Sequence, residues 1–181
     1  MKHLLAQVLA TTVFVSPVMA QDQSLAVTDA LGVTEPEQFA EMAAASSLFE
    51  IQASSAAMQK ATSPVTKEFA QELIVDQKKT ALEMKAAAKA DGVPLPTGLD
   101  EDSQGKLANL AEASGEAFDF AFLALQWESQ EATVALFAAY SENGEPGRLK
   151  EFAEKALPTL EVNLSQFQMR TNQLTYSDLL Y

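Results

Sequence analysis

Four polar residues stand at matching depths along four helix-like stretches of the chain: Glu50, Gln77, Gln130 and Asn163. Each lies on or beside an apolar stripe. Counted from the start of its stretch, each falls roughly 12–16 residues in, which is 20 Å or so along a helix. Helices of equal length laid side by side bring such positions to one level, whichever way each helix runs. Inward carboxylates and imidazoles at mid-height are how di-metal bundles build their sites. Here the set is one acid and three amides. Buried amides ordinarily find hydrogen-bond partners and need no further role, and amides at a helix margin face water. As metal ligands, a single carboxylate and neutral amides are weak for zinc or iron. Asp76 (next to Gln77), Asp119, and Gln126 (one turn before Gln130) are the other polar groups near this level. Asp76 is expected at a helix–helix margin.

Other chemistries fare worse. Glu50 has no evident second carboxylate on a facing helix, so an acid/base pair is not expected. The chain contains no cysteine, and its only histidine is His3. Thiolate chemistry, disulfides and histidine catalysis are therefore excluded or remote. Met42, Met58, Met84 and Met169 are spread over three helices and read as gap-fillers, not a copper site. Trp127 and the phenylalanine-rich faces read as core. There is no glycine-rich phosphate loop, no GxSxG and no low-complexity tract. No enzyme activity and no cofactor is expected. The formal net charge of −13 makes nucleic acid and anionic lipid poor partners. A protein partner is the open alternative.

The elements that must carry these residues are helices. Thr34-Glu35-Pro36-Glu37 reads as a capping box with an early proline, opening a helix to about Ala61. Ser63-Pro64 opens a second helix that stops at Asp91-Gly92. A proline-rich connection, residues 93–98, leads to a short helix from about Asp102 to Glu112, expected to cap one end of the bundle. A third long helix, about Gly115 to Glu142, is apolar on much of its circumference. After a turn, a fourth runs from about Pro146 to Asn172, with Pro158 inside it expected to kink it. No strand alternation competes. The pattern predicts an all-α, up-down four-helix bundle over residues 34–174, with a short extra helix before the third. Residues 175–181 are expected as a tail across the bundle end.

Residues 1–20 have one lysine, an apolar run from Leu4 to Val15, and a small-residue end at Ala20. That is the layout of a cleaved secretory signal, and the run is too short to span a bilayer. Cleavage after Ala20 leaves 161 of the 181 residues and, with Lys2 gone, a charge of −14. Residues 21–33 read as a flexible leader. The expected location is periplasmic or secreted.

Several segments carry a resemblance. FAQELIVDQ (residues 69–77), SGEAFDFAF with Gln126 and Gln130 beyond it, LPTLEVNL (157–164), LFEIQ around Glu50, and Leu95-Pro96 resemble the bacterial domain of unknown function family 4142 in order and spacing. The resemblance runs from about Phe39 to Phe167. It implies an exported, ferritin-like four-helix bundle. It also implies histidine at the positions of Gln77, Gln130 and Asn163, so this chain carries amides where the family pattern has imidazoles. Glu50, Asp76, Asp119 and Gln126 remain. The leading expectation is a non-catalytic exported bundle with a degenerate metal site. The alternatives are a metal-binding or redox-stress protein using carboxylate and amide oxygens, which would favour calcium or magnesium, and a helical partner-binding or assembly module.

Overall fold

The computed structural model describes residues 32–178, and for residues 172–178 the backbone alone. The expected signal segment and most of the leader lie outside the described residues. Five helices follow in order: α1 (Pro36–Lys60), α2 (Pro64–Asp91), α3 (Glu101–Glu112), α4 (Glu116–Asn143) and α5 (Arg148–Asp178). No strand occurs among the described residues.

Local chemistry explains most of the boundaries. Proline opens α1 and α2, where its missing N–H is not needed. The Ser63 hydroxyl accepts the Thr66 N–H at 3.3 Å and caps α2. The expected capping box at α1 does not form. Glu35 is the cap residue and makes no side-chain cap bond. The Thr34 carbonyl instead accepts the Glu145 N–H at 3.1 Å, tying the α4–α5 turn to the start of α1. Gly92 closes α2 at φ 75°, a left-handed conformation that suits glycine. Asp100 caps α3 by accepting the Ser103 N–H at 2.7 Å, one residue earlier than the sequence suggests. At Gly144 a Cβ would sit 2.5 Å from the Tyr140 carbonyl oxygen, so only hydrogen fits where α4 ends. The start of α5 is capped from another helix: the Asp91 carboxylate accepts the Arg148 and Leu149 N–H groups at 2.9 and 2.7 Å. That long-range cap sets the start at Arg148 and not Pro146. At the other end α5 continues to Asp178, so part of the expected tail is helical.

Helix directions follow from the contacts. α1 packs on α2 and α4, and α5 packs on α4 and α2. Phe39, near the start of α1, stacks on Tyr140 near the end of α4, with centroids 4.0 Å apart. Thr62, just past α1, meets Asp119 at the start of α4. These two helices are therefore antiparallel. Glu83 pairs with Lys155 at 2.8 Å and Glu72 with Arg170 at 2.5 Å, so α2 and α5 are antiparallel as well. Ser63 and Asp119 bond at 3.0 Å, so α2 and α4 begin at the same end of the bundle. Strict alternation, expected from the sequence, does not hold between these two helices. The chain must return along the bundle after α2, a distance on the order of 40 Å at 1.5 Å per residue. α3 is part of that return. It lies along α1 and α4 and does not cap the bundle end. Lys106 holds it to Glu128 at 2.9 Å, and the Lys60 ammonium donates to the Ala111 carbonyl.

The core is split in two. One cluster gathers Phe39, Met84, Phe137, Tyr140, Leu149 and Phe152. The other gathers Phe69, Leu73, Phe118, Phe122 and Phe167 with Leu110 of α3. Burying each such side chain contributes on the order of 1.5–3 kcal/mol. Between the clusters, the positions nearest mid-height are polar.

Candidate functional site: a buried carboxyl and a ring of amides

α1 places Glu50 at the centre of that level with no exposed surface. Its carboxyl is held by side chains from three directions. Gln77 of α2 donates its amide N–H at 2.6 Å, Ser129 of α4 donates at 3.0 Å, and Ser46, one turn earlier on α1, donates at 3.4 Å. A second set of partners fixes these donors. The Ser47 hydroxyl donates to the Gln77 amide oxygen at 3.0 Å, and Ser46 bonds Thr133 at 2.7 Å. No cation among the described residues faces Glu50. Burial therefore pushes its pKa up to about 7, and the bonds from Ser129, Gln77 and Ser46 offset only part of that.

The four positions singled out by depth do converge. Glu50, Gln77, Gln130 and Asn163 all line one cavity of about 30 Å³, with Asp76 and Thr80 on its rim. Gln130 is 8 % exposed as a residue, and its amide has no hydrogen-bond partner among the described residues. Asn163 is half-buried, and its side chain is likewise unpaired among the described residues. Asp76 is exposed, at the α2–α5 margin where the sequence places it.

Two other candidates stand apart. Asp119 is a buried clasp. Its carboxylate accepts the Thr62 and Ser63 N–H groups at 3.1 and 3.0 Å and the Thr62 hydroxyl at 2.5 Å, capping α2 from α4. Gln126 is fully buried one turn from Gln130, yet it does not line this cavity, and neither end of its amide has a partner. Ser129, Thr133, Ser46 and Ser47 were not foreseen as members of the site. The spacing of Ser46 four residues before Glu50 was a usable signal. Those of Ser129 and Thr133 were weak, because hydroxyls are common on helix margins.

A transition metal does not fit this donor set. The one carboxyl at the centre of this layer already accepts three hydrogen bonds, which a metal would have to displace. The remaining groups are neutral amides and one exposed carboxylate. Among the described residues no three His, Cys, Asp or Glu side chains are placed to share an ion. No helix among them is long and apolar enough to cross a membrane.

Fold and site together define a class: an all-α helical bundle whose two apolar half-cores are separated by a hydrogen-bonded polar layer around one buried acid. The chain belongs to the family described as a domain of unknown function (DUF4142), whose model matches residues 19–169. No curated protein and no solved structure gives a match.

Proposed function

We propose that the protein is an exported, non-catalytic bundle of ferritin-like topology, with a central layer that has become a hydrogen-bonded polar site in place of a metal centre. It acts by binding, through that layer or through its acidic surface. The ferritin-like reading draws on two parallel neighbours of α1, α2 and α4, joined by one long return through α3. The single observation that carries the rest is the state of Glu50: buried, three times hydrogen-bonded, and facing neutral amides. Export rests on the signal-like residues 1–20.

Elemental analysis of the purified mature protein tests this, with transition metal expected well below one per chain. A stoichiometric metal that leaves on Glu50→Ala overturns the reading. The triple change Gln77→His, Gln130→His and Asn163→His serves as the positive control. All three positions line one cavity, so it should create zinc or nickel affinity measurable by calorimetry. A calcium or magnesium site built on Asp76, Glu50 and amide oxygens is the rival. Titration of these ions with neither heat nor a shift in Tm removes it.

A further inference from the structure

The cavity beside Glu50 does not stop at the core. It adjoins a wider chamber of about 210 Å³ between α2 and α5, and the two share Asp76, Thr80, Leu160 and Asn163. The chamber continues outward over Phe152, Ala156 and Thr159 to the Glu83–Lys155 ion pair. The result is a narrow polar recess at the end of an amphipathic channel. Its polar groups are acceptor-rich and open for use. Among the described residues the Asp76 carboxylate has no ion pair, and Lys79 lines the same outer chamber. Among the described residues the Gln130 and Asn163 amides have no partner, and both residues line the recess, Gln130 being 8 % exposed as a residue. Amides that line an accessible recess without a protein partner are free to bond a guest.

We propose that this recess binds a compact primary ammonium group carried on a short alkyl chain. The inference rests on reading the central layer as a site that holds no metal. A cavity of 30 Å³ admits a group about the size of a water molecule, which an ammonium is. A monocation needs one opposing charge and a few acceptors. Asp76 supplies the charge, and the amide oxygens of Gln130 and Asn163 supply the acceptors. A hard dication needs six or more oxygens and more than one free carboxylate, which the recess does not offer. The alkyl chain would lie against Leu160, Ala156 and Phe152 in the outer chamber.

Calorimetry on the metal-free full mature protein at neutral pH tests this with n-butylamine, which is protonated there, and with n-butanol as its uncharged counterpart. Butylamine should bind one per chain with Kd of order 1 mM. Asp76→Asn, at an exposed position that folding tolerates, should weaken it at least about tenfold. Gln130→Met, which conserves volume, should weaken it about five- to tenfold. Absence of butylamine binding overturns the proposal, as do equal affinity for butanol or unchanged binding in both variants. Metal in the purified protein would sink the preceding reading. A failed amine titration on metal-free protein would sink only this one.

Discussion

Replacing Glu50 by glutamine should flatten the pH dependence of stability between about pH 4.5 and pH 7 and leave the variant more stable than the parent above that range. Glu50 has a folded pKa of about 7 against an ordinary glutamate value of 4.5. The sign follows from proton counting. Below pH 4.5 the carboxyl is protonated in both states, and its burial carries no charge penalty. As pH rises toward 7 the unfolded chain loses the proton while the folded chain keeps it, so stability falls. Above 7 both states are ionised, and the full difference has been lost. A shift of that size corresponds to roughly 3 kcal/mol. Glutamine keeps the geometry. Its carbonyl can accept from Gln77 while its N–H groups donate to the hydroxyls of Ser46 and Ser129, which can reverse their bonds. Urea denaturation of both proteins across that pH range is the measurement. Parallel stability curves for parent and variant would mean that Glu50 is ionised in the folded protein after all.

Asp119→Ala should destabilise the fold by about 2–4 kcal/mol with the amine affinity of any surviving folded protein unchanged. The carboxylate serves two backbone N–H groups and a hydroxyl at the α1–α2 junction, from a position that is 7 % exposed. Deleting it leaves those donors unpaired beside Phe118 and removes a cap. Asp119→Asn should cost less, because one amide oxygen still accepts. Tm and denaturation midpoint report the loss. A stable Asp119→Ala protein that no longer bound butylamine would move Asp119 out of the structural role and into the site.

These two acids illustrate where sequence reasoning reaches and where it stops. Both were visible as carboxylates near the middle or start of a helix. Depth along the helix was enough to bring Glu50, Gln77, Gln130 and Asn163 to one cavity, because rise per residue is constant and the helices are of similar length. Asp119 lay near enough in that counting to be grouped with them. It is separate because the start of α4 lies beside the start of α2, a fact about direction that periodicity does not carry. Gln126 shares a face with Gln130, yet packing closes over it. The capping box at Thr34 does not form, because Glu35 takes the cap position, and the Thr34 carbonyl accepts from Glu145, more than a hundred residues away.

By itself the sequence determined that this chain is helical, about where the first four helices begin and end, which faces are apolar, and which family it belongs to. Those properties are set by local periodicity, caps, and the glycine and proline positions, each acting within a few residues. Only the tertiary structure decided that α2 and α4 run the same way, that α3 lies along the bundle's flank, and that Glu50 is surrounded by hydroxyls and an amide with no cation in reach. Those outcomes depend on which helix packs beside which. A side chain's charge state and its free hydrogen-bonding capacity are properties of neighbours distant in the chain.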